Sequence, residues 1–310
     1  MGTYLRDVFS EELIAVGAWD KRIVVLDPEV ARSTKMLAFR DVYPDRFFEF
    51  GVAEQNVIAA AAGMAAEGLV PFAVAFAIFI TERPYEIIRC SVAHGRKNVK
   101  IIGGYAGFSA SKDGATHICL EDLGALRVLP EIAIVSPSDP VMTRQMIRPI
   151  VAHNGPVYMR IENEPLPVLY RDSIGFEIGK TYQPREGKHI TLIGIGGCVG
   201  RALDAASRLA EKGIEADVLD AATLKPFDRK TLLTSISKTG RVVSIEDHNI
   251  YGGLASAVSE VVAEEKIAVS YKAVAMMEDY SESGLPDSLR KKYGTSTDHI
   301  VNAAMEVLEK

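Results

Sequence analysis

The feature that most constrains the fold is a repeated alternation of short apolar runs with helical patterns. In the first half of the 310-residue chain, apolar runs predict strands at residues 22–27, 47–50, 71–75, 99–102, 132–135 and 157–161. Apolar residues at helical spacing predict helices between most of them, for example at residues 5–16 and 141–152. Buried strands that alternate with helices are typical of a mainly parallel sheet with both faces covered.

A second alternation follows a break in the pattern. Residues 166–188 are rich in Pro, Gly and charge and are predicted to form a linker. Strands are then predicted at residues 189–196, 215–221, 241–247 and 269–276, with helices at 201–212, 228–237, 254–265 and 297–308. We therefore predict an α/β protein with two three-layer α/β/α domains, at residues 1–165 and 189–310.

Charge and composition exclude several classes of function. The net charge of -6 leaves no basic face for nucleic acid and no polybasic patch for a membrane surface. No apolar run approaches the roughly 20 residues of a membrane span. The three cysteines, Cys90, Cys119 and Cys198, are far apart in the sequence, which argues against disulfides or a zinc site and favours a reducing cytoplasm.

A carboxylate stands where the chain enters a buried helix. The stretch "RFFEFGVAEQNVIAAAAG" places Glu54 at the start of an Ala-rich helix, directly after an apolar strand. An acidic residue in a first helical turn is favourable by up to about 1 kcal/mol, which is the plain explanation. That modest gain does not by itself account for a carboxylate where the chain enters the core.

Three further segments carry candidate groups, each with a structural alternative. The loop at residues 104–122 offers Asp113 and His117 for hydroxyl recognition and proton transfer, although a turn with a solvated histidine would look similar. Phe72, Phe76 and Phe79 are spaced like one helix face, which usually indicates core but also suits an aromatic ligand wall.

Arg160, near the end of a strand, is suited either to clamp a phosphate or to pair with Glu162. The Gly-rich "GIGGCVG" at residues 194–200 has Val199 at the third glycine position of a dinucleotide fingerprint. This segment is therefore interpreted as a tight turn between a strand and a helix.

Taken together, five motifs resemble the transketolase family of thiamine diphosphate enzymes. They are, in order, "LDPEVARST", "RFFEFGVAEQN", "FAIF", "DGATH" and "PSD". The resemblance covers nearly the whole chain, which looks like the C-terminal subunit of a split transketolase. It implies a pyrimidine-binding domain followed by the family's C-terminal domain, and transfer of a two-carbon ketol unit between sugar phosphates.

The resemblance also implies roles for individual residues. Glu54 corresponds to the glutamate that hydrogen-bonds N1′ of the cofactor's aminopyrimidine ring and so favours the imino form that generates the reactive ylide. The other implied roles are pyrimidine packing by Phe76 and Phe79, an acid near the cofactor at Glu29, sugar hydroxyl binding by Asp113 and His117, with His117 also catalytic, and phosphate binding by Arg160 with Ser33.

Three positions depart from the family pattern. Tyr105 stands where many transketolases have a histidine that contacts the substrate phosphate. Lys112 replaces an acid before "DGATH", and Glu82 lies where an aromatic residue often completes the pyrimidine pocket. These differences concern the sugar and its anionic group, so a specialised ketose in place of the pentose phosphates stays open.

The resemblance further implies a partner. The sequence has no G-D-G followed by Asn, the motif that holds the diphosphate and Mg²⁺ in this family. We therefore expect an N-terminal transketolase subunit to carry the diphosphate-binding domain and most of the metal site, in an α₂β₂ assembly.

Other interpretations remain open at this stage. The chain also resembles deoxyxylulose-phosphate synthases and the β subunits of 2-oxo acid dehydrogenases, which share the glutamate and the two-domain plan. A third possibility is a catalytically silent scaffold subunit, against which the joint presence of Glu54, Asp113 and His117 argues.

Overall fold

A computed structural model describes residues 2–171 and 173–309. Asp172, in the predicted linker, lies outside the described residues. The first half contains β1 (Thr3–Tyr4), α1 (Leu5–Gly17), β2 (Ile23–Asp27), α2 (Ala31–Thr34), α3 (Leu37–Val42), β3 (Phe47–Glu49), α4 (Glu54–Ala66), β4 (Val70–Phe76), α5 (Ala77–Glu82), α6 (Tyr85–Ile87), β5 (Lys100–Gly104), α7 (Asp122–Arg127), β6 (Ala133–Val135), α8 (Pro140–Ala152), β7 (Val157–Arg160) and β8 (Pro165–Leu166). A π-helical segment, Ile88–Ala93, extends α6, and 3₁₀ turns form at Pro44–Arg46 and Phe108–Asp113.

The second half repeats the alternation in a smaller domain. It contains β9 (Tyr182–Arg185), β10 (Ile190–Gly194), α9 (Cys198–Ala210), β11 (Ala216–Asp220), β12 (Thr223–Lys225), α10 (Arg229–Thr239), β13 (Arg241–Asn249), α11 (Leu254–Glu264), β14 (Ser270–Met276), α12 (Pro286–Lys292) and α13 (Thr297–Leu308). The predicted α/β class with two mainly parallel sheets is confirmed.

The first sheet has seven strands in the order β12-β6-β7-β5-β4-β2-β3. Its first-domain strands pair in parallel, and β12 joins β6 antiparallel. One face packs on α1 and α8, and the opposite face packs on α4 and α7. Because parallel strands share one direction, their carboxyl ends meet at a single edge, where loops can form a site.

The second sheet has five strands in the order β14-β13-β10-β11-β9, and only β9, at the edge, is antiparallel within it. α9 and α13 cover one face. The hydrophobic cluster on the other face, which includes Leu232 and Leu254, is continuous with the cluster around α4. The two domains therefore share a core.

Two elements differ from the sequence prediction. Residues 182–185 of the predicted linker form β9, whose ladder with β11 makes it part of the second sheet. Residues 223–225, from the second half, extend the first sheet through β12. Edge strands of three or four residues carry little periodicity, so a pattern search misses them.

Local sequence explains the helix starts that frame the site. Asp139, in the "PSD" motif, caps α8 by accepting a hydrogen bond from Met142 N at 2.6 Å, and Pro140 occupies the first turn. Glu162 Oε1 accepts from Gly197 N at 2.8 Å, so a carboxylate of the protein fills the Gly-rich turn before α9. Within the part of the chain that the structure describes, no helix is long and apolar enough to cross a membrane.

Candidate active site

The residues expected to form the site gather at the carboxyl edge of the first sheet. β2, β4 and β5 lie side by side in this sheet, and β3 pairs with β2 at its end. Glu29 and Ser33 follow β2, Glu54 follows β3, Phe79 follows β4, and His117 follows β5. The topology therefore brings residues that are distant in sequence to one edge.

Glu54 is the first residue of α4 and is only 3% exposed. A tight turn with Gly51 at φ +64° and a hydrogen bond from Ala53 N to Gly51 O leads the chain from β3 into the helix. The hydrogen bonds that its side chain accepts come from another side chain and not from the backbone of its own helix. The helix dipole favours an acid in the first turn by up to about 1 kcal/mol, so the burial of this carboxylate depends on further contacts.

The partner of Glu54 is Arg83. Nη1 of Arg83 donates to both carboxylate oxygens of Glu54 at 2.9 Å each. The guanidinium carbon of Arg83 also lies 4.1 Å from the centre of the Phe79 ring. A planar, nitrogen-bearing group thus stacks on an aromatic ring while it hydrogen-bonds the buried carboxylate.

Four rings form an aromatic wall beside this pair. The Phe76 and Phe79 rings are nearly parallel with centroids 6.2 Å apart, and the His117 ring meets Phe79 edge-on at 5.1 Å. The Tyr105 ring stacks on Phe76 with centroids 4.1 Å apart. Phe72 is fully buried in the core instead, because β4 runs to Phe76 and the three phenylalanines do not share a helix.

The predicted sugar-binding loop presents His117 and Asp113 differently. His117 is half-buried, and its Nδ1 lies 2.9 Å from the Thr116 hydroxyl. Asp113 and Lys112 are exposed and line a cavity of about 440 Å³ that also includes Tyr105 and Asn163. The arrangement provides a cavity of mixed polar and apolar lining next to the aromatic wall.

Arg6 is a further candidate for the site and belongs to none of the motifs identified in the sequence. Its Nη1 donates to the Tyr105 hydroxyl at 2.5 Å and to Ser33 O at 3.2 Å, and its guanidinium lies 5.0 Å from the Tyr4 ring centre. Among the residues that the structure describes, no carboxylate forms an ion pair with Arg6. A half-buried cation without a counter-ion is suited to an anionic ligand.

Tyr105 is held in an unusual backbone conformation. Its φ of +58° lies in the left-handed region, which costs a residue other than glycine about 1 kcal/mol or more. The contacts of its side chain with Arg6 and Phe76 offset this cost. Such strained positions cluster at functional sites, so the departure at Tyr105 falls on a residue that the surrounding structure fixes.

Glu29 and Ser33 lie on the segment after β2. Glu29 is exposed, and its N–H donates to Glu49 Oε1 at 2.6 Å. Asp27, which ends β2, is fully buried, and desolvation raises the pKa of its carboxyl to about 7. Asp27 is thus a second buried acid at this edge, and it belongs to none of the candidate groups predicted from the sequence.

Arg160 does not fit the expected role in phosphate binding. It is 1% exposed, its Nε donates to Asp122 Oδ2 at 2.8 Å, and its Nη2 donates to the Asp247 carbonyl at 2.8 Å. Burial would lower the pKa of Arg160, but the Asp122 carboxylate keeps it above its usual value. Arg160 forms its buried ion pair with Asp122. This contact matches neither of the two roles predicted from the sequence, which were to clamp a phosphate or to pair with Glu162.

Glu82, the third position that departs from the family pattern, lies near Glu121 and Asp122 at the end of the loop formed by residues 104–122. Desolvation, together with the carboxylates of Glu121 and Asp122, raises the pKa of Glu82. For the described residues, no group of three or more His, Cys, Asp or Glu side chains is arranged to hold a metal ion.

Known protein domains and proteins are similar to this chain along nearly its whole length. The pyrimidine-binding domain of transketolases matches residues 3–169, and the transketolase C-terminal domain matches residues 179–300. A putative transketolase C-terminal section from Methanocaldococcus jannaschii is 37% identical over 308 residues, which cover 99% of this chain and 96% of that protein. The 6-deoxy-6-sulfo-D-fructose transketolase subunit SqwH from Clostridium sp. is 37% identical, with 99% of this chain and 95% of that protein covered.

A solved structure described as a split gene transketolase, inactive β4 tetramer, is similar over 99% of both chains, with a TM-score of 0.92 and 38% identity. Both domain matches, the relatives and this structure agree in extent and order. The chain therefore belongs to the transketolase family and combines its pyrimidine-binding domain with its C-terminal domain.

Proposed function

We propose that this chain is the C-terminal subunit of a split transketolase, which transfers a two-carbon ketol unit from a ketose phosphate to an aldose phosphate. The observation that carries the proposal is the buried Glu54 carboxylate beside the aromatic wall of Phe76, Phe79 and His117. A buried carboxyl can hydrogen-bond a nitrogen of an aminopyrimidine ring, and flat aromatic side chains can stack on that ring.

The residues present fit the pyrimidine half of thiamine diphosphate. When bound, this cofactor supplies the electron sink that stabilises the carbanion left by cleavage of the ketose. Glu54 would share a proton with a ring nitrogen, and Phe79 would stack on the ring. The Arg83 guanidinium now meets both partners, so it has to leave them when the ring enters.

On the substrate side, we assign Asp113 and His117 to the sugar hydroxyls, with His117 placed to move a proton near the reacting carbons. Arg6, with Tyr105 and the segment around Ser33, takes the anionic group that the sequence analysis gave to Arg160. The pocket that Asp113 and Tyr105 share is large enough, at about 440 Å³, for a sugar phosphate.

A partner subunit completes the proposal. This sequence lacks the family's diphosphate motif, so the diphosphate and Mg²⁺ would be held by an N-terminal subunit in an α₂β₂ assembly. The similar structure that consists of β subunits alone is described as inactive, which supports a requirement for the second subunit. The Clostridium relative is named as a subunit of a 6-deoxy-6-sulfo-D-fructose transketolase, so the donors proposed for this chain include anionic ketoses other than phosphates.

The test is to purify the chain with its companion and to compare Glu54→Ala with the exposed neighbour Gln55→Ala. We expect the Glu54 variant to assemble normally, as judged by native mass, and to lose turnover by roughly 10³-fold or more. The Gln55 variant should keep its turnover. Full activity of the Glu54 variant would instead establish a silent scaffold.

The donor assay separates the remaining enzyme alternatives. Xylulose 5-phosphate, 6-deoxy-6-sulfofructose and pyruvate are offered to the assembled enzyme with one aldose acceptor. Turnover of either ketose supports a transketolase. Turnover of pyruvate alone would place the chain with the deoxyxylulose-phosphate synthases or the 2-oxo acid dehydrogenase β subunits.

A further inference from the structure

The substrate loop, defined as residues 105–121, belongs to the first domain and packs on both domains: Ala106 and Cys119 contact Ala77 of α5, and a larger apolar cluster joins the loop to the second domain. It carries Tyr105, Asp113 and His117, the groups that the proposed function assigns to the sugar. The loop is built largely from small residues and includes two glycines with positive φ, Gly107 and Gly114. Such a loop does not fix the position of its side chains by itself.

Apolar side chains attach this loop to the second domain. Phe108, Ala110, Ile118 and Leu120 form a separate buried cluster with Met276, at the end of β14, and with Leu289 of α12. The ring of Tyr293, directly after α12, stacks on Phe108 with centroids 6.1 Å apart and planes 12° apart. Apart from the residues of the loop itself, the members described for this cluster all come from the second domain.

Backbone contacts fix the same loop at several points. Asn249 N, at the end of β13, donates to Leu120 O at 2.7 Å, and Gly284 N donates to Ser111 O at 3.1 Å. Gly107 approaches β13 so closely that a Cβ there would lie 2.9 Å from Asp247 O. These contacts leave little freedom for the loop to shift relative to the second domain.

The end of β13, which contacts the loop, is itself held by ion pairs. Burial would raise the pKa of Asp247, but the guanidinium groups of Arg201 and Arg290 hold it at about 2. Arg201 Nη2 lies 2.6 Å and Arg290 Nε 2.9 Å from the Asp247 carboxylate. Arg160 connects this point to Asp122, where the loop passes into α7. A charge network thus joins the two domains behind the loop.

We infer that the C-terminal domain positions the substrate loop, with Leu289 and Tyr293 as positioning residues for His117 and Asp113. The catalytic part of this inference rests on the proposed function, because it concerns how sugar-binding groups are held. The physical reason is that misplacement of such groups by about 1 Å costs an enzyme on the order of 10²-fold in rate. Leu285 and Pro286 of the C-terminal domain line the cavity assigned to the sugar, whereas Leu289 and Tyr293 do not. Leu289 and Tyr293 would therefore contribute to catalysis only through the position of the loop.

The test compares two substitutions of buried leucines in the full-length chain. Leu289→Ala opens the cluster under the loop, whereas Leu209→Ala opens the core between α9 and the second sheet, which contains no loop residue. Both should lower the unfolding temperature. In native-state hydrogen exchange, we expect only Leu289→Ala to accelerate exchange of amides in residues 105–121, by tenfold or more.

A second pair of variants separates positioning from loss of fold. Tyr293→Phe keeps the stacked ring and should match the wild type, whereas Tyr293→Ala should loosen the loop and, in the assembled enzyme, raise KM for the ketose and lower kcat. Equal loop exchange in Leu289→Ala, Leu209→Ala and wild type would overturn the inference. Absence of ketol transfer by the wild-type assembly would overturn the proposed function instead, and the exchange result would still decide the positioning role.

Discussion

The Glu54 carboxylate is bound by the Arg83 guanidinium, which simultaneously lies over the Phe79 ring at 4.1 Å. Each of these contacts is one that an aminopyrimidine ring would make in the proposed site: a hydrogen bond to the acid and stacking on the ring. In the proposed site, Arg83 would therefore compete with the cofactor for the same two partners.

Replacement of Arg83 by Met should accordingly tighten the binding of thiamine diphosphate. Because the Arg83 side chain is 42% exposed, we expect a gain of only roughly three- to tenfold, or about 1 kcal/mol. The measurement is a calorimetric titration of the assembled enzyme with the cofactor.

Arg89→Met provides the control, since Arg89 is an exposed cation on the following π-helical segment. The affinity of this variant for thiamine diphosphate should equal that of the wild type. Weaker binding by Arg83→Met would mean that Arg83 supports the cofactor site and does not compete for it.

Arg6 should determine the preference for anionic sugars. Loss of its hydrogen bonds to a charged group in Arg6→Met would cost about 1.5–3 kcal/mol, or roughly 10- to 100-fold in kcat/KM for a phosphorylated ketose. An uncharged ketose of the same length should be little affected.

Arg40→Met is the matched substitution, because Arg40 is exposed on α3 and paired with Asp41. Steady-state kinetics with both ketoses decide the matter. An equal loss for the charged and the uncharged donor would remove Arg6 from anion recognition.

Substitution of Arg160 should act on stability and not on phosphate binding. Arg160→Met leaves the buried Asp122 carboxylate without its ion-pair partner, a change that typically costs about 3–5 kcal/mol. Urea unfolding followed by circular dichroism measures this loss.

For comparison, Arg96→Met breaks an exposed ion pair with Glu131 and should cost less than about 1 kcal/mol. An Arg160 variant of normal stability with a raised KM for phosphorylated donors alone would restore the role that the sequence suggested.

The burial of Lys100 leads us to expect that the free energy of unfolding depends on pH. Its Nζ is buried and donates to the carbonyls of His153 and Gly155, and desolvation lowers its pKa from 10.5 to about 7. Between these values the unfolded chain binds more protons than the folded chain, so the free energy of unfolding should rise with pH, by at most about 1.4 kcal/mol per unit.

Urea unfolding at pH 7 and pH 9.5 tests this dependence. Lys100→Met should reduce the rise, whereas Lys212→Met, at an exposed lysine after α9, should leave it unchanged. An identical pH profile for wild type and Lys100→Met would show that another group controls stability in this range.

The sequence determined the architecture and the order of the motifs. Continuous apolar runs such as β2 and β10 are buried on both faces, so their pattern alone indicates strands of a parallel sheet. The segment that brings Glu54 to the start of α4 was likewise visible, because an acid at the head of an Ala-rich helix is locally unusual.

Only the tertiary structure decided which charged residues face the site. Arg6, Arg83 and Arg160 look alike in sequence, yet one lies beside Tyr105, one binds Glu54, and one is buried against Asp122. The residue that pairs with each lies far along the chain, for example 38 positions away for Arg160 and Asp122. Local periodicity reports whether a segment is buried, but the partner of a charge depends on which strands and loops meet, and that is set by long-range packing.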